Sequence, residues 1–140
     1  MSFVGRQPEV RLSNMGRNSG SRVLLVEDNR SISRLVDAIL SNAGFELSAV
    51  PSGRSAVDAI RRNQPDLVLL DLDLPDLDGF RVIESIRKDD VAGDARVVAF
   101  TSHAEPGVRE EVTAAGFDGY ISKPIVPDDF VAAVERFISD

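Results

Sequence analysis

The chain has 140 residues, 43% of them hydrophobic and 28% charged, with a net charge of −7 and no cysteine. That length supports one domain with a real core, and the missing cysteine excludes disulfides, thiolate catalysis and thiolate zinc sites. The acidic balance argues against nucleic acid, the single histidine, His103, against a histidine metal cluster, and the lack of any long apolar run against a membrane span. The expectation is a soluble, cytoplasmic protein.

Residues 1–20 carry Arg6, Arg11 and Arg17 against Glu9, with little apolar periodicity, and are read as a flexible, mildly basic tail; residues 21–140 form the domain. From there two kinds of segment alternate. The apolar runs VLLV (23–26), LVLL (67–70) and VVAF (97–100) suit strands buried on both faces of a parallel sheet. FELSA (45–49) alternates as a half-exposed strand would, and DGYIS (118–122) supplies a shorter fifth.

Between these runs the spacing is helical. Ile32, Leu35, Val36, Ile39 and Leu40 make one stripe, ended at Gly44. Ala56, Ala59 and Ile60 make a second after Ser52, with Pro65 as its break. Phe80, Ile83 and Ile86 make a third, with Asp78 as N-cap. Val108, Val112 and Ala115 make a fourth, ended at Gly116. Phe130, Val131, Val134, Phe137 and Ile138 make a fifth, opened by Pro127-Asp128-Asp129. Five strand–helix repeats define an α/β, (βα)5, doubly wound parallel sheet, whose ligands belong at the C-terminal strand ends, where strand order reverses. No glycine-rich phosphate fingerprint follows any strand.

The polar residues at those ends form a consistent set: Glu27-Asp28-Asn29, then Asp71, then Thr101-Ser102, then Lys123-Pro124. Asp28 or Asn29 could cap the first helix, and Ser102 with Glu105 matches a capping box, which leaves Thr101 available. Only Lys88 and Lys123 are lysines among the 16 basic residues, and Lys123 stands in the apolar context YISKPI, where a compact cation suits a phosphate. Carboxylates gathered without histidine or cysteine point to Mg²⁺. An aspartate among Mg²⁺, a lysine and a hydroxyl is a setting for phosphoryl transfer with the carboxylate as nucleophile.

The blocks VLLVEDN, LVLLDLDLPDLDGF, VVAFTS and GYISKPI, in this order and spacing, resemble the response-regulator receiver domain of two-component signalling over about residues 21–140. The resemblance implies a flavodoxin-like sheet of order 2-1-3-4-5, and, because the fifth helix uses up the residues after 124, a stand-alone regulator is expected. Asp71 would accept phosphate from a histidine kinase or histidine phosphotransfer protein, and Glu27, Asp28, Asp71 and the Asp73 backbone carbonyl would hold Mg²⁺. Lys123 and Thr101 would contact the phosphoryl oxygens, and Tyr120 would be the switch. The Lys123–Pro124 peptide would be cis, and output would pass through the fourth helix, fifth strand and fifth helix to a downstream protein. It further implies a monomer or weak phosphorylation-dependent dimer that catalyses its own phosphorylation and slow dephosphorylation without being a conventional enzyme. Asp73 and His103 depart from common family usage and are expected to modulate that dephosphorylation.

Three rival readings are weaker. A haloacid-dehalogenase-like phosphatase shares D-x-D through Asp71 and Asp73, but Leu74 stands where Thr or Val is expected and two strand–helix units come first. A calcium loop would put Leu74 and Ser85 at ligand positions. A receiver-like scaffold binding without phosphorylation would not need the full set of site residues.

Overall fold

A computed structural model describes residues 20–102 and 105–139; the expected tail, apart from Gly20, lies outside them, as does His103. The strands are β1 (Arg22–Val26), β2 (Glu46–Val50), β3 (Leu67–Asp71), β4 (Val97–Thr101) and β5 (Gly119–Ser122). The helices are α1 (Arg30–Asn42), α2 (Ala56–Asn63), α3 (Gly79–Lys88), α4 (Val108–Ala115) and α5 (Pro127–Ser139). Short 3-10 turns at Gly53–Ser55 and Ala92–Asp94 precede α2 and β4.

All four strand pairings are parallel, in the order β2-β1-β3-β4-β5. Order therefore reverses between β1 and β3, as expected for a doubly wound sheet. The period-two alternation of side chains divides the core in two. Leu24, Val26, Val68, Leu70, Val97 and Ala99 pack with residues of α2, α3 and α4, while Val23, Leu25, Leu67, Leu69, Val98 and Phe100 pack with α1 and α5. Every residue of β3 and β4 is buried, whereas the edge strand β2 is half exposed, which explains its alternating sequence.

Local signals set most boundaries. The Asn29 side chain caps α1 by accepting from the Ile32 amide at 3.0 Å, and Gly44 follows the helix at φ 100°. Asp78 caps α3 through the Phe80 amide at 3.0 Å. α2 stops before Gln64, held at φ 46° ahead of Pro65. The expected Ser102–Glu105 capping box does not start a helix: α4 begins at Val108, after Gly107 at φ 94°, with no side-chain cap. Glycine accepts that left-handed conformation at no cost, so the chain turns there instead.

Candidate functional site

Each site residue sits where a strand hands over to a loop. The Glu27 amide donates to the Val50 carbonyl at 3.0 Å, extending the β1–β2 ladder by one step, and the residue is 4% exposed. Its carboxylate accepts from the Asn29 amide at 3.1 Å and from Lys123 Nζ at 3.0 Å. Burial pushes the Glu27 carboxyl above its ordinary range, with the Asp71 charge adding to the rise and the Asn29 and Lys123 hydrogen bonds opposing it. Because Asn29 is the cap, Asp28 is not tied to the helix and stands exposed beside Glu27.

Across the reversal point, β3 ends in Asp71, 2% exposed, whose Oδ1 accepts from the Asp73 amide at 3.0 Å and lies 3.4 Å from Lys123 Nζ. Glu27, Asp28 and Asp71 each bring one carboxylate oxygen within 4.8 Å of the others. Among the described residues, three carboxylates against one ammonium leave this corner short of positive charge, which fits a hard divalent cation held by oxygen ligands.

Lys123 is aimed by backbone and ring together. Its amide donates to the Thr101 carbonyl at 2.8 Å, the following peptide to Pro124 is cis, and Nζ lies 4.8 Å from the centre of the Phe100 ring. Thr101 is fully buried at the end of β4, opposite Ser122 of β5. Tyr120 lies one strand over, opposite Ala99, packed against the α2–α4 side of the core with the Arg109 guanidinium 5.9 Å from its ring centre. Asp73 is exposed, two residues after Asp71 and bonded to it through its amide.

Of the residues singled out from sequence, Glu27, Asp28, Asp71, Asp73, Thr101 and Lys123 converge at the strand ends, and Tyr120 lies further down β5. Two features escaped the sequence reading. Gly79 lies flush on the loop after β3: its amide donates to the Leu72 carbonyl at 3.3 Å, and a Cβ there would come 2.8 Å from Leu72 Cα. Asp76 accepts from the amides of Gly53 and Arg54, a tie between loops that no local pattern signals.

An acidic corner at the reversal point of a 2-1-3-4-5 sheet, with a lysine on the last strand's exit, defines a receiver. The chain belongs to the response regulator receiver domain family, whose model matches residues 23–135. It is 32% identical to the polar-differentiation response regulator DivK of Brucella anthropi over 118 residues, 84% of this chain and 96% of that one. Among solved structures, the receiver domain of the sensor histidine kinase PA1611 of Pseudomonas aeruginosa, with magnesium coordinated in its active-site cleft, superposes with a TM-score of 0.78 at 31% identity, covering 87% of this chain and all of that one. The chemotaxis response regulator CheY4 of Vibrio cholerae gives a TM-score of 0.77 at 26% identity over 84% of this chain and 98% of its own. Membership of this family displaces the phosphatase alternative. Among the described residues no helix is long and apolar enough to cross a membrane.

Proposed function

We propose that Asp71 accepts a phosphoryl group from a phosphohistidine, and that the modified chain signals through changed contacts of the α4–β5–α5 face. In this reaction an Asp71 carboxylate oxygen attacks phosphorus, the P–N bond to the donor imidazole breaks, and the leaving nitrogen takes up a proton, leaving an aspartyl phosphate. The observation that carries the reading is the convergence of Glu27, Asp28 and Asp71 within 4.8 Å, with Lys123 Nζ 3.4 Å from Asp71. The three carboxylates and the Asp73 carbonyl would hold Mg²⁺. When bound, the ion supplies charge neutralisation for the phosphoryl oxygens. Lys123 holds the same oxygens from the other side, and the Thr101 hydroxyl donates to one of them. Drawing Thr101 toward the phosphate lets Tyr120 reposition and shifts a pre-existing equilibrium of the face it lines.

The donor is a histidine kinase or histidine phosphotransfer protein, and the output is a downstream protein rather than nucleic acid or membrane. The chain works in the cytoplasm as a monomer or weak phosphorylation-dependent dimer. Asp73, exposed beside the acceptor, tunes how fast the phosphate is lost; its expected partner, His103, lies outside the described residues. Incubation with acetyl phosphate and Mg²⁺ tests the core of the reading. Wild type becomes labelled, Asp71→Asn and chelated samples do not, and persistent labelling of Asp71→Asn overturns the assignment. An unlabelled wild type would favour a scaffold that binds without phosphorylation.

A further inference from the structure

The β3–α3 loop that borders the acceptor is fastened to the β2–α2 turn by a contact that the phosphoacceptor scheme does not use. Asp76 Oδ1 accepts from the Gly53 amide and Oδ2 from the Arg54 amide, both at 3.0 Å and across 23 and 22 residues of sequence. These amides open a helical turn and have no partner within it. Ser52, the local candidate, makes no such cap, and its hydroxyl pairs with that of Ser55 at 3.0 Å. Asp76 therefore caps the turn from a distant loop. Although burial works the other way, the Gly53 and Arg54 amides, with those of Asp76 and Leu77, hold its carboxyl below the ordinary aspartate range.

The fit is close. Gly53 is buried, and a Cβ there would lie 2.7 Å from Val82 Cγ2 and 3.4 Å from both Leu74 Cδ1 and Leu77 Cβ. Only Leu72, Asp73, Leu74 and Pro75 separate Asp76 from the acceptor. Leu74 is buried, Pro75 has a fixed φ, and the Asp73 amide is bonded to Asp71 Oδ1. The stretch is thus held at the Asp73 amide beside the acceptor and at Asp76 at its far end.

We propose that Asp76 is a positioning residue for the phosphoacceptor site: by capping the β2–α2 turn it fixes the path of the β3–α3 loop and hence the Asp73 backbone beside Asp71. This rests on the phosphoacceptor reading above and adds to it the coupling of two loops. Coupling is reciprocal, so cation binding at the site also tightens the bonds at Gly53 and Arg54.

The test compares wild type, Asp76→Ala and Asp76→Asn, the last keeping one acceptor oxygen. Asp76→Ala is expected to weaken Mg²⁺ binding by calorimetry roughly tenfold, in the range seen when groups supporting metal ligands are lost. The Mg²⁺ concentration for half-maximal acetyl-phosphate labelling should rise by the same factor, while the rate at saturating Mg²⁺ stays within about twofold. Asp76→Asn should fall between. In wild type, Mg²⁺ should slow hydrogen exchange at the Gly53 and Arg54 amides, a response a purely local cap would not give. Faster exchange at these amides in Asp76→Ala, with Mg²⁺ affinity unchanged, overturns the proposal. Should Asp76→Ala not fold, Gly53 and Arg54 exchange in wild type that ignores Mg²⁺ overturns it equally. A wild type that neither binds Mg²⁺ nor labels overturns this proposal together with the phosphoacceptor reading, whereas a labelled wild type whose Asp76 variants reach half-maximal labelling at the same Mg²⁺ concentration overturns this one alone.

Discussion

At the N-terminal ends of the strands Arg22, Arg87 and Arg96 each meet acids or carbonyls, whereas at the C-terminal ends Glu27, Asp28 and Asp71 crowd a single lysine. The Arg22 guanidinium donates to the Asn63 carbonyl at 2.8 Å while its amide donates to Asp66 at 2.8 Å. Arg87 donates to the carbonyls of Gly116, Gly93 and Ala95 and to the Asp118 carboxylate, and Arg96 donates to the Phe137 carbonyl. Helix C-termini gather here, so cations satisfy exposed carbonyls and complement the helix dipoles. One end of the sheet is electrostatically settled and the other is held in repulsion, ready for a cation to relieve it.

Breaking the settled end should cost most. Arg87→Ala strands three carbonyls and removes the ion pair to Asp118, which keeps its bond from the Val97 amide, and is expected to destabilise the fold by about 3 kcal/mol, read as a lower midpoint in urea. Neutralising the strained end should do the opposite. Asp28→Asn removes repulsion from Glu27 and Asp71 and should stabilise the metal-free protein by about 0.5–1 kcal/mol at low ionic strength. That gain, followed by calorimetry, should shrink with added salt, and Mg²⁺ should stabilise wild type more than the variant. A destabilised Asp28→Asn would remove the contrast between the ends.

The smallest effect concerns acid. Arg61 grips Asp89 at 2.6 Å, and that guanidinium, helped by the Ala92 and Val91 amides, lowers the Asp89 carboxyl from 3.8 to about 2. A carboxyl depressed by folding stabilises the fold fully above 3.8 and loses that contribution as pH falls toward 2. The difference in melting temperature between wild type and Asp89→Asn should therefore persist near neutrality and narrow over that interval.

The strands and the acidic corner were legible in the sequence for related reasons. A parallel sheet covered on both sides needs unbroken apolar runs, so the first polar residue after each run marks a strand end. Glu27, Asp71, Thr101 and Lys123 stand at or just beyond those points. What could not be read are the ties between separate loops. Asp76 bonds to Gly53, and Arg87 reaches Gly116 and Asp118, through contacts that exist only once distant segments are adjacent. The Ser102–Glu105 pattern misled because its side-chain spacing is right, yet the left-handed Gly107 moves the helix start past it.

β3 has consequences for how a chemical event here becomes a signal. The strand is buried along its whole length and flanked by β1 and β4, and leucines such as Leu67, Leu69 and Leu70 each contribute about 1.5–3 kcal/mol through burial. Asp71 is thus mounted on one of the least compliant parts of the molecule. On the proposed reading, a doubly charged group added there would not be accommodated by sliding the strand. The displacement must go outward, into the loops after β3 and β4 and the helices they lead into. Under the proposed phosphoacceptor, so stiff a strand would make the surrounding surface, rather than the core, the moving part.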